Sequence, residues 1–298
     1  MNPLKTDATL YKQTVLAARL LFVFGGSAAV LWFPVTVELV LLMLVSFFVR
    51  TFGWEAGHHR YFAHRSFKTG RVFQFVLGAL GAMSGQRGPL WWAAVHREHH
   101  SHSDTDHDPH SPLKRGRFFA YLGWLFERPD GHTNYDNVRD WAQHPELVWL
   151  NEHHYIFPYC LLLACFAVGQ WTPLFGWNAG VETVIWGFCL STLLSLQGTH
   201  LVNALAHAKQ SSWFTYRSYE TDDRSQNHWL LCVLTLGASW HNNHHRYPAA
   251  ARAGFRWWEL DLTYLILRGL AGLGIVWDLR AVPGHILEEP EALLKPRA

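Results

Sequence analysis

Three clusters of histidine hold the residues best suited to chemistry. The first reads Gly57-His58-His59-Arg60-Tyr61-Phe62-Ala63-His64, the second His96-Arg97-Glu98-His99-His100, and the third His241-Asn242-Asn243-His244-His245. On a helix, positions i, i+3 and i+4 share one face. His96, His99 and His100 therefore point one way, and so do His241, His244 and His245. Imidazole suits iron, zinc, copper and nickel. Leaving His58 aside, the clusters offer eight imidazoles, more than the roughly four to six that one such ion takes. Two metals are the simpler reading. His59 and His64 are five apart, about 140° around an ideal α-helix, and converge only if the helix bends or ends between them.

The elements that must carry these rings look membrane-embedded. Of 298 residues, 49% are hydrophobic and only 16% charged, against about 25% charged in an average soluble domain. The net charge of +2 gives no argument for a nucleic-acid partner. The four cysteines, Cys160, Cys165, Cys189 and Cys232, sit in apolar runs without a CxxC spacing. They read as core or lipid-facing residues, not as disulfides or thiolate ligands. No cleavable signal closes the first apolar run.

Apolar runs at about 15–33, 35–54, 155–172 and 181–199 approach the length needed to cross about 30 Å of hydrocarbon. Pro34 makes the first connection a tight hairpin, and the last two runs form a second. Arg50, near the end of the second run, is placed to snorkel. Val72–Ser84 is too short to span and reads as an interfacial or re-entrant helix. Leu260–Val276, broken by Arg268 and three glycines, reads as a helix on the polar part. The expected fold is all-α, with four transmembrane helices in two hairpins and a helical cap from about 55–154 and 200–298, all one domain. The two hairpin connections hold no Lys or Arg, so the positive-inside rule puts both termini and all three clusters in the cytoplasm. The membrane is read as a bacterial inner membrane.

Beyond the fourth run, Asn203 and His207 share a helix face. With them the pattern Gly57-x-His59-Arg-x-x-x-His64-Arg-Ser, His96-Arg-x-His99-His100, Asn203-x-x-x-His207 and His241-Asn-x-His244-His245 resembles the membrane fatty acid desaturases. The closest likeness is to the acyl-CoA delta-9 (stearoyl-CoA) branch, over about residues 15–280. The resemblance implies two irons on His59, His64, His96, His99, His100, His207, His241, His244 and His245, with Asn203 acting through water. It also implies a bent acyl channel gripped at its kink by Gln86, Trp92 and Thr199. The branch usually carries Trp where His200 stands, and Gly-Glu-Gly where Gly237-Ala238-Ser239 stands. Animal members have a CoA-contacting Arg at the place of Ala94, and a later basic pair is reduced here to Arg128 before Pro129. These departures bear on the acyl carrier, not on the iron ligands.

The implied reaction is O2-dependent desaturation of a long-chain fatty acyl thioester, with acyl-CoA and the delta-9 position expected. Acyl-lipid or acyl carrier protein substrates, and a membrane di-iron hydroxylase, are the alternatives. An alkyl C–H bond in the middle of a fatty acyl tail has no acidic proton, so acid–base catalysis cannot cut it. Desaturation yields two electrons, while reduction of O2 to two waters takes four. The other two need an external donor, a ferredoxin or a cytochrome b5-like protein with its reductase. The apolar slot must be dry and well aimed, and Gly88-Pro-Leu-Trp91-Trp92 is suited to line it. Ligand imidazoles need acceptors behind them. Glu55, Asp104, Asp106 and Asp108 are the candidates. His102, His107 and His110 read as loop or supporting residues. Glu259 and Asp261 read as local caps or pairs. A metal transporter would want its ligands inside the spans, which this pattern does not offer.

Overall fold

The computed structural model describes residues 3–127, 132–208 and 212–289. Arg128 and Pro129 lie outside the described residues. The protein is mostly helical. Three helical stretches are long and apolar enough to cross a membrane: Lys12–Trp32, Val37–Ala63 and Gly180–Leu205. Ile156–Trp171 qualifies only together with Pro145–Glu152, from which it is bent by 65°. Leu21, Leu31, Val45 and Leu163 are each more than half exposed on these helices, the pattern of surfaces that meet lipid.

Local chemistry sets the helix ends. Pro34 falls between the first two helices, and Thr36 caps the second by accepting from Leu39 N at 3.3 Å. Close packing joins the helices. A Cβ on Gly26 would collide with Cys189, and one on Gly187 with Leu42. Thr183 Oγ1 donates to the carbonyl of Cys165 at 2.7 Å, tying Ile156–Trp171 to the start of the next helix. The four cysteines are free thiols.

The first histidine cluster lies on a π-helix, Gly53–Ala63, that continues the helix Val37–Phe52. Its i→i+5 winding stacks residues five apart. His64 N accordingly donates to His59 O at 3.3 Å, and the two rings sit with centroids 5.1 Å apart. The expected bend is thus a widening, with the helix ending at His64. A helix at Arg71–Ala82 packs against this segment. The contact is backbone-close, since a Cβ on Gly57 would lie 2.8 Å from Leu77 O.

The remaining elements carry the other histidines. Pro89–His102 carries the second cluster, the end of Ser191–Leu205 leads to His207, and His241–Arg246 carries the third cluster. Leu262–Gly272 is an apolar helix too short to span, and Leu267 on it is fully buried in the main core with Phe62, Leu77, Leu90 and Leu236. The all-α expectation misses two antiparallel ribbons. Lys68–Thr69 pairs with Val276–Trp277, and Thr215–Tyr216 pairs with Asn227–His228. Two-residue strands leave no periodic signal in a sequence. Arg50 does not snorkel: it is 1% exposed, with its guanidinium held inside the bundle.

Candidate metal centre

The structure gathers the nine named histidines in one place. The ring nitrogens of His59, His64, His96 and His244 lie within 4.8 Å of one another, and those of His99, His207, His241 and His245 do the same. His100 sits between the quartets. Its Nε2 is 2.9 Å from His244 Nε2 and 3.1 Å from His96 Nε2, while its ring stacks on His245 with centroids 4.3 Å apart. Sequence spacing places each triplet on one face; only the fold brings the triplets together.

Carboxylates set the tautomers of four rings. Glu55 accepts from His59 Nδ1 at 2.8 Å, Asp108 from His99 Nδ1 at 3.0 Å, and Asp104 from His207 Nδ1 at 3.0 Å. Asp223 takes His245 Nδ1 in a very short contact. A carboxylate only accepts, so each of these Nδ1 atoms carries the proton and each Nε2 presents a lone pair. Asp106 does not join them; it pairs with Lys114 on the surface at 2.8 Å. Asp223 is invisible to sequence spacing because it lies on a loop 22 residues before its histidine, beyond any helical period.

These lone pairs are what a metal needs. His99 Nε2 and His245 Nε2 are buried with no hydrogen-bond partner, a costly state for a polar nitrogen. His207 Nε2 faces His241 Nε2 at 2.9 Å, and His59 Nε2 faces His244 Nε2 at 3.0 Å. All-imidazole sets of this kind fit iron. Burial and neighbouring imidazoles push His64, His96, His100, His241 and His244 well below the ordinary imidazole range. Burial takes His245 down to about 4, against the pull of Asp223. Burial also opposes charge on His207, but the hydrogen bond and charge of Asp104, together with Asp223 and Asp108, outweigh it and raise this group. Neutral rings are the metal-binding form, and of the seven rings named here His207 alone is pushed the other way.

A cavity of about 30 Å³ adjoins both quartets, lined by Trp54, His59, Trp92, His96, Thr199, Val202, Asn203, Ala238 and His241. Its size suits a water molecule, and Asn203 is on its wall. Gln86, Trp92 and Thr199 form one hydrogen-bonded group. Gln86 Oε1 accepts from Thr199 Oγ1 at 2.9 Å and from Trp92 Nε1 at 3.3 Å. Trp92 also stacks on His96, with centroids 4.7 Å apart. His110 is buried against His99 at 4.5 Å, whereas His102 and His107 are exposed. His200 is buried beside Tyr121 at 5.4 Å.

Arginines fix the clusters to their surroundings. Arg97 donates to the carbonyls of Phe62 and Ala63 and pairs with Asp140 at 2.9 Å, locking the second cluster to the end of the first. Asp261 caps its own helix by accepting from Tyr264 N, and it also grips Arg60 from 201 residues away. Glu259 reaches Tyr216 at 2.6 Å and Asn243 at 2.8 Å. The local reading of these two acids covers only half of what they do.

Comparison with known proteins agrees with this geometry. The family model for fatty acid desaturase matches residues 31–278. An sn-1 stearoyl-lipid 9-desaturase of Anabaena variabilis is 34% identical over 250 residues, 84% of this protein and 85% of that one. A hex-5-enoyl-acyl-carrier-protein acetylenase of Moorena producens is 31% identical over 86% of this protein and 81% of its own length. An acyl-CoA 5-desaturase of Anemone leveillei is 32% identical over 79% of this protein and 69% of its own length. Matched along most of its length, this protein is a member of the fatty acid desaturase family.

Proposed function

We propose that this protein inserts a double bond into a long fatty acyl tail at a di-iron centre, with the delta-9 position as the target. The carrying observation is the pair of histidine quartets beside the Gln86–Trp92–Thr199 group. His59, His64, His96, His99, His100, His207, His241, His244 and His245 would hold the irons, with Asn203 reaching them through water. Bound iron would supply O2 activation strong enough to break unactivated C–H bonds. The protein's own residues do the rest. Glu55, Asp104, Asp108 and Asp223 orient the rings. Trp54, Trp92 and Val202 keep the pocket wall apolar. Gln86 and Thr199 fix the bend of the acyl tail so that one carbon pair faces the centre.

The two extra electrons would come from a ferredoxin or a cytochrome b5-like protein with its reductase. We place four spans in two hairpins, counting the bent pair as one, with both termini and the site in the cytoplasm of a bacterial cell. The delta-9 reading is supported by relatives named stearoyl-lipid and palmitoyl-lipid 9-desaturases.

The expected carrier is a thioester, acyl-CoA first. A second reading, an acyl-lipid substrate, has a specific observation behind it. Ala94, at the position where a CoA-contacting Arg would stand, is 1% exposed in the core and carries no charge to meet a phosphate. Incubating the purified protein with an electron donor and stearoyl-CoA, stearoyl carrier protein or stearoyl lipid in turn tests both. Loss of two hydrogens at carbons 9 and 10 from one of these supports the reading. Gain of one oxygen makes the protein a hydroxylase.

A further inference from the structure

Large apolar side chains stand uncovered outside the spanning helices. Trp213 is 97% exposed and Trp257 87%, and Phe214, Trp229, Leu230 and Trp258 are each more than a third exposed. They belong to one body. Trp229 Nε1 donates to Trp213 O at 3.3 Å, and its ring lies 5.5 Å from that of Phe214. Tyr216, on the ribbon after Phe214, lines one hollow with Trp258, whose ring meets that of Trp257 at 5.7 Å. Thr263 N donates to Leu236 O at 3.0 Å and ties the segment after Trp258 to the segment after Trp229. A contiguous apolar patch of this kind marks an interaction surface.

The spans say what covers it. A Cβ on Gly198 would lie 3.2 Å from Leu234 O, so the Trp229 segment touches the span Gly180–Leu205 at Gly198. Gly198 is 18 residues past Gly180, about 27 Å along a helix, which is close to the hydrocarbon thickness of about 30 Å. The Trp257 segment is placed by Asp261, which grips Arg60 on the span Val37–Ala63. Arg60 is 23 residues past Val37, about 35 Å along. Both segments thus meet the spans at the edge of the hydrocarbon, where tryptophan is enriched. Leu265 and Arg268, three apart on the next helix, are both exposed, an apolar group and a cation suited to a layer that carries phosphate.

We propose that the face carrying Trp213, Phe214, Trp229, Leu230, Trp257 and Trp258 lies in the headgroup layer of the bilayer, and that this contact braces the third histidine cluster. The brace is Asn227, two residues before Trp229. Its Oδ1 accepts from Asn242 N at 3.0 Å and from Asn243 N at 3.1 Å, inside the cluster. Lipid that holds Trp213 and Trp229 holds the ribbon Asn227–His228 with them. The inference goes beyond the desaturase reading and stands whatever the substrate.

The test uses the full-length protein in bilayer discs that contain a phosphatidylcholine with a diazirine near the headgroup end of its acyl chain. Illumination and peptide mapping report which segments take the carbene. Insertion is expected on the segments holding Trp213 to Leu230 and Trp257 to Leu265. It is expected to be absent at Arg139, beside the Asp140 that pairs with Arg65 past the end of the span. Trp213→Ser combined with Trp257→Ser changes only side chains that already stand outside the core. It should lose label from both segments and quicken amide exchange at Asn242 and Asn243. Patch segments labelled no more than the Arg139 segment overturn the proposal, as do cross-links between two copies at Trp213 or Trp257 in place of lipid. Unchanged exchange in a variant that has lost the label overturns the bracing. The wild-type map decides the membrane contact even if the double variant does not accumulate.

Discussion

Asp261 holds Arg60 with both carboxylate oxygens, at 2.9 and 3.0 Å, across 201 residues of sequence. On its other side Arg60 holds Glu55 at 2.9 Å, and Glu55 holds His59 at 2.8 Å. A segment late in the sequence thereby fixes the tautomer of the first proposed ligand. All four groups are buried. Breaking one partner of a buried ion pair costs about 3–5 kcal/mol. Asp261→Ala should therefore lower the melting temperature sharply and release iron from the first quartet before the second. A variant with wild-type melting would show the pair to be dispensable.

The two quartets differ in their support. Among the described residues the first has one carboxylate behind it, Glu55, while the second has three, Asp104, Asp108 and Asp223. Loss of such a partner typically costs about 10–100-fold in metal affinity. Asp223→Asn should weaken iron retention against a chelator by that order while leaving the fold intact by circular dichroism. Unchanged retention would separate Asp223 from the metal site.

Substitutions at the pocket bend should act differently. Gln86→Leu removes both hydrogen bonds at Gln86 Oε1 and Thr199→Val removes one of them, without touching a histidine. Iron content should stay at the wild-type level while KM rises or the double bond moves along the acyl tail. A loss of iron in either variant would contradict the role given to these residues.

The π-helix depends on bare backbone contact. A methyl group on Gly57 would meet Leu77 O at 2.8 Å, and overpacking of this kind costs about 1–3 kcal/mol. Gly57→Ala should lower stability by that amount in thermal unfolding. It should also lower iron content, because His59 and His64 share a face only while the π-winding holds.

The sequence carries the site further than it carries the fold. Spacing alone puts His96, His99 and His100 on one face, and likewise His241, His244 and His245, because helical periodicity is local. The convergence of His59 and His64 is legible as a problem, but its solution is not, since nothing in the letters announces i→i+5 winding. Asp223 and Asp261 act on partners 22 and 201 residues away, and such distances leave no pattern. Arg50 defeats the snorkelling expectation for a related reason: an Arg near the end of an apolar run looks the same whether it reaches for water or for Ser191 and Thr192.

Iron stoichiometry tests the central claim most directly. Purified protein should hold two irons per molecule, and alanine at His241 should remove iron and abolish desaturation together. A single iron, another metal at full occupancy, or an active His241→Ala protein would contradict the account.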